Sequence, residues 1–176
     1  AGVTTIIVDS SDAEHNTNPS DDITTTITGQ TTEKIAIRKT VEDSADTNDS
    51  DGTDFVISNK TDTGNDSLTI DFRGVGVDDG SSDYFGIDLL TAANYETLNL
   101  ISSTNDVANA TYAKGKVTKN EIEALSAGSA TSIVVTGDTE LSIGTDANLS
   151  ASSLTSFDAS ALDAKLTLQA GTEKAT

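Results

Sequence analysis

Apolar residues recur along this chain in short alternating runs rather than in long blocks. Ile23-Thr-Thr-Thr-Ile27 and Lys34-Ile-Ala-Ile-Arg38 place apolar and polar side chains on opposite faces of an extended segment. Similar runs follow at Phe55–Ser58, Leu68–Phe72, Tyr84–Leu89, Leu98–Ile101, Ile133–Val135, Leu141–Ile143 and Leu166–Leu168. Gly, Asn, Asp or Ser bound each of them, and nearly all are three to six residues long. Most are shorter than the strands of an ordinary sandwich.

A subset of these runs repeats. Leu68/Ile70, Leu98/Leu100, Ile133/Val135 and Leu166/Leu168 are apolar-x-apolar pairs at a near-constant interval, and Ile35/Ile37 precedes the first at a like distance. The interval is roughly 30–35 residues, within the range that marks architectures built from stacked coils. A weaker run separates successive pairs. A three-residue strand cannot hold itself in a hairpin, but between like strands it joins a long ladder and buries its aliphatics in a column. The pattern therefore predicts a mostly β chain with a β-solenoid, parallel β-helix-like stack of short strands. The alternative is an irregular β-sandwich with evenly spaced strands.

One segment departs from this alternation. Thr118-Lys-Asn-Glu121 is a capping box, followed by Ile122, Leu125 and Gly128. It predicts one short helix near residues 118–127 with Ile122 and Leu125 on its buried face. In outline, residues 1–22 read as a flexible or extended segment, 23–171 as a single β-rich domain and 172–176 as a tail. The start lacks an initiator Met and a basic–apolar leader, so the reading is a piece of a larger protein or leaderless export.

Composition narrows the setting. Thr, Asp, Ser, Gly and Asn make up 93 of 176 residues; Cys, Met and Trp are absent, and there is one His. No disulfide or thiolate metal site can form. The formal net charge is −19, from 29 acidic and 10 basic residues. Such a charge disfavours nucleic acid and anionic membrane, and no apolar run reaches the ~20 residues that span a bilayer. Bound cations would relieve the repulsion; solubility or salt adaptation explains the charge as well.

Three acidic clusters could hold Ca2+. Asp46, Asp49, Asp51 and Asp54 surround Asp49-Ser-Asp51-Gly52, which is similar to an EF-hand start but has Ser58 where the bidentate Glu belongs. Gly64-Asn-Asp66-Ser-Leu68 matches the G-x-D-x-U core of the calcium-binding nonapeptide, as a single copy. Asp78, Asp79 and Asp83 crowd a six-residue turn. Each also reads as a solvated turn. His15 lies in a polar stretch without a partner for zinc or catalysis, and no nucleophile elbow, phosphate loop or dinucleotide fingerprint occurs.

The C-terminal third has a recognisable texture. Ile133-Val-Val-Thr-Gly-Asp-Thr-Glu-Leu-Ser-Ile143 leads into Leu154-Thr-Ser-Phe-Asp-Ala-Ser-Ala-Leu162 and Leu166-Thr-Leu168. Residues 55–171 resemble bacterial surface-layer proteins and giant adhesins of the repeats-in-toxin type, though tandem nonapeptides are missing. The resemblance implies a cell-surface lattice or adhesive stalk, export without a cleaved signal, and calcium-driven folding and assembly. Five Asn-x-Ser/Thr sequons, at Asn48, Asn59, Asn65, Asn109 and Asn148, leave a glycosylated archaeal surface protein open.

The expected function is a non-enzymatic, Ca2+-stabilised, self-assembling component of an extracellular surface layer. Its partners would be copies of itself and cell-surface polysaccharide. An adhesive or carbohydrate-binding module is the alternative, favoured if Tyr84, Phe85, Tyr95 and Tyr112 line one face. A polysaccharide-active enzyme would need two carboxylates in a cleft.

Overall fold

The computed structural model describes residues 6–10, 23–28, 34–40, 53–60, 62–73, 87–103, 119–145 and 149–169. They form twelve strands: β1 (Ile6–Ser10), β2 (Ile23–Thr28), β3 (Lys34–Thr40), β4 (Thr53–Ser58), β5 (Ser67–Arg73), β6 (Ile87–Ala93), β7 (Thr97–Ser103), β8 (Lys119–Ser126), β9 (Ser132–Gly137), β10 (Glu140–Ile143), β11 (Ser156–Leu162) and β12 (Leu166–Leu168). Odd strands make one six-stranded sheet in the order β1-β3-β5-β7-β9-β11, and even strands make the other, β12-β10-β8-β6-β4-β2. Every pairing within both sheets is parallel. The chain thus crosses from sheet to sheet once per strand and climbs one rung per pair. This is a parallel β-solenoid, not an antiparallel sandwich.

Register explains why these short strands persist. In the odd sheet, Ile6, Ile35, Ile70, Leu100 and Val135 form one file, and Leu68, Leu98, Ile133 and Phe157 a second. In the even sheet, Thr25, Phe55, Leu90 and Leu125 align, as do Ile87, Ile122, Ile143 and Leu168. Interior members such as Ile35, Ile70, Leu100 and Val135 are fully buried. Each contributes about 1.5–3 kcal/mol by leaving water.

The repeat is less regular than the sequence suggests. Ile35 aligns with Ile70 rather than Leu68, and Leu166/Leu168 belong to the even sheet. The odd-sheet file continues from Ile133 to Phe157, a shorter step along the chain than any before it.

The predicted helix at 118–127 is a correction. Lys119–Ser126 is strand β8, and no helix occurs among the described residues. Ile122 and Leu125 are both buried, but their spacing of three comes from a change of phase within the strand. Half-buried Glu123 and Ala124 sit between them. β6 makes the same change between Ile87 and Leu90, which align with Ile122 and Leu125. Pairing to β6 and β10 on either side outweighs the local helix signal.

Polar side chains are buried where a partner is fixed. Asn120 is fully buried, and its Nδ2 donates to Ser102 Oγ at 2.7 Å and to the Ser103 carbonyl at 3.4 Å. Ser102 O also accepts from the backbone N of Asp138 and Thr139. Gly137 passes over this carbonyl at φ +123°, where a Cβ would lie 1.9 Å from Ser102 O. Asp71, 5% exposed on the outer face, pairs with Lys34 Nζ at 2.8 Å and Arg73 Nε at 3.0 Å.

Gly137→Ala should therefore cost about 3 kcal/mol. Gly128→Ala meets nothing within 4 Å and should change stability by less than about 0.5 kcal/mol. Thermal unfolding of the two variants side by side checks the pair. Equal melting temperatures would contradict the close approach at Gly137.

Candidate functional site

The corners that lead from even to odd strands are built on one backbone device. Asp66 O accepts from Glu96 N (3.0 Å) and Thr97 N (3.1 Å), and Glu96 O from Thr131 N (2.9 Å) and Ser132 N (3.1 Å). Thr131 O accepts in turn from Thr155 N and Ser156 N. Thr131 and Thr155 add a hydroxyl bond to the carbonyl one coil below. Four successive coils thus place one residue each in a corner file, and the first two of these residues are acidic.

At the acidic end of this file, one carboxylate oxygen each from Asp62, Asp66 and Glu96 lie within 4.8 Å of one another. Local turn chemistry positions them. Gly64, at φ +79°, makes the bend that Asp62 closes by accepting from Gly64 N at 2.9 Å. Asp66 grips Thr63 twice, through its N at 2.6 Å and its Oγ1 at 2.8 Å. Glu96 Oε2 accepts from Asp66 N at 2.7 Å, tying one coil to the next. Asn94, at φ +63°, donates from Nδ2 to Asn59 O at 3.3 Å.

Electrostatics follow from these contacts. The bonds from the Thr63 backbone and hydroxyl, with a further one from the Asn59 side chain, hold the Asp66 carboxyl below its usual 3.8. Tyr95, 3% exposed, has a hydroxyl with no hydrogen-bond partner among the described residues. Burial pushes its ionisation up, and the Asp66 charge adds to the rise.

The donor set is all oxygen, which suits a hard cation such as Ca2+ rather than a soft metal. Three protein oxygens fall short of the six to eight that Ca2+ takes, so water would complete the shell. The carboxylates already accept backbone or hydroxyl bonds, which lowers their availability. The arrangement therefore suits weak binding.

Of the eight carboxylates singled out in the sequence, Asp66 is in this corner. Asp54 is half-buried within β4, aligned with Thr24 and away from the trio. Asp46, Asp49, Asp51, Asp78, Asp79 and Asp83 lie outside the described residues, as do His15, Tyr84, Phe85 and Tyr112. Tyr95 is in the core, so it offers no ring to a surface ligand. Two features of the nonapeptide match hold: Gly64 turns the chain, and Leu68 enters the core. Sequence reasoning missed Asp62 and Glu96. Glu96 follows Asp66 at the same interval at which Leu98 follows Leu68, so aligning the repeats would have found it.

Compared with known proteins, the chain matches no family model, no curated protein and no solved structure.

Because the Asp66 carboxyl is held down in the fold, its contribution is present above the unfolded value of about 3.8 and is lost as pH falls through the lower folded value. Melting temperature against pH should drop through this acid range, and Asp66→Asn should flatten that part of the profile. A superimposable profile for the variant would remove Asp66 as a contributor.

Proposed function

We propose that this chain is a non-enzymatic structural component of an extracellular surface layer, stabilised by Ca2+ and self-assembling. The observation that carries the reading is the uniform parallel stack with a carboxylate trio at a coil-to-coil corner. A fold of this kind is a spacer with long regular faces, and its stability sums over neighbouring coils. Carboxylates at adjacent rungs repel unless something screens them. A divalent ion at Asp62, Asp66 and Glu96 would bridge two coils and turn a cost into a tie. Copies of this chain would supply the lattice, and cell-surface polysaccharide is a candidate ligand of the assembled layer.

The secreted setting is in keeping with a cysteine-free, acidic chain whose corners rest on hydrogen bonds rather than disulfides. The acidic surface offers no match to nucleic acid.

Melting with Ca2+ and with chelator tests this reading. A site held at a hundred times its dissociation constant stabilises by about 2.7 kcal/mol. At 176 residues each kcal/mol raises the melting temperature by roughly 2–4 °C. Asp66→Asn combined with Glu96→Gln should remove most of that rise while the apo protein still folds. Identical melting with and without Ca2+, in a chain that stays monomeric by light scattering, would overturn the proposal.

A further inference from the structure

The last coil differs from those before it. Phe157 and Leu162 on β11, with Leu154 and Leu166 close by, pack against the core only in part. Leu168, at 38%, is the exposed large apolar side chain among the described residues. One coil earlier, Ile133 and Leu141, which align with Phe157 and Leu166, are fully buried. Among the described residues β11 pairs with β9 alone, and no other described strand lies on its second edge.

The opposite end of the same sheet is β1, which among the described residues pairs with β3 alone. Register connects the two end strands rung by rung. Ile7, Ala36, Asp71, Ile101, Thr136 and Ala161 share one rung. The next holds Val8, Ile37, Phe72, Ser102, Gly137 and Leu162. β1 and β11 thus run in the same direction on the same rungs, at the two ends of one ladder. A second copy displaced along the stack axis brings its Ile7–Val8 opposite Ala161–Leu162. That is the contact this sheet already makes five times within one chain.

We propose that the chain associates head to tail, β1 of one copy adding to the second edge of β11 of the next. The proposal rests on the self-assembly in the reading above and supplies its surface and polarity. Unequal links are no obstacle to such stacking. The coil of β7 and β8, joined by residues 104–118, stacks on that of β9 and β10, joined by 138–139. The bulge in β11 after Asp158, shaped by the bond from Ser160 N to Asp158 Oδ1 at 2.8 Å, ends before Ala161 and leaves the required rung in register. A head-to-tail contact of parallel strands does not close on itself, so it repeats into a filament.

Sedimentation equilibrium of the whole chain tests this, in Ca2+ and ~0.15 M salt, where repulsion between acidic copies is screened beyond about 8 Å. The unmodified chain should grow past a dimer as concentration rises. Leu162→Asp and Val8→Asp should each remain monomeric, with circular dichroism unchanged. Mixed one to one, they should form dimers and stop, because each retains the end that the other lacks. Should Leu162→Asp fail to fold, Val8→Asp added to the unmodified chain should still shorten the filaments by capping them. A monomeric unmodified chain, self-association of Val8→Asp alone, or association indifferent to Leu162→Asp would each overturn the joint. If Ca2+ still raises the melting temperature in that last case, the surface-layer reading stands without it.

Discussion

No strand of this protein can exist without the one beside it. The coil-on-coil parallel ladder is the constraint from which the rest follows, since strands of three to eight residues hold too few bonds and too little apolar surface to persist singly. In-register stacking solves both problems together. Each backbone group meets its like one rung away, and files such as Ile35–Ile70–Leu100–Val135 become a continuous dry column. The buried side chains form one cluster, mostly aliphatic with Phe55, Phe72 and Tyr95 among them, which is how so acidic and aromatic-poor a composition can still fold.

Several buried polar groups sit where the ladder gives them a fixed partner, the Tyr95 hydroxyl being an exception. Asn120 fills space beside Ser102 and ties Ser102 and Ser103 to the start of β8. Asp71 is buried on the outer face between Lys34 and Arg73, and removing either base would leave a carboxylate poorly compensated. The corner file of Asp66, Glu96, Thr131 and Thr155 follows the same logic. The backbone carbonyl holds the corner at every level, so the side chain is free to vary between carboxylate and hydroxyl. That freedom allows a group of acids to sit at one corner without disturbing the stack.

Much of the fold was legible in the sequence because apolar alternation and its recurrence both report on the same ladder. Leu68/Ile70, Leu98/Leu100 and Ile133/Val135 are neighbours in space as the spacing implies. What misled was local. The capping box ahead of Ile122 and Leu125 describes a good helix start, and only the flanking strands reveal that the i, i+3 pair marks a change of burial phase along β8. The shortened last coil hid Phe157, because it follows Ile133 sooner than the interval kept by the earlier coils would place it. Of the site, Asp66 could be read from the turn motif, whereas Glu96 comes from a distant segment and needs the register to be seen.

The links between strands span from two residues, 138–139, to fifteen, 104–118, yet the rungs on either side of both remain aligned. Loop closure grows costlier only slowly with length. The stack therefore behaves as a ruler with interchangeable attachments: spacing along the axis is set by hydrogen bonding, while the edge can acquire or lose peptide without altering that spacing. New sequence spliced between Ser103 and Lys119 would leave the flanking strands on the same rungs, and the ladder would not register the change.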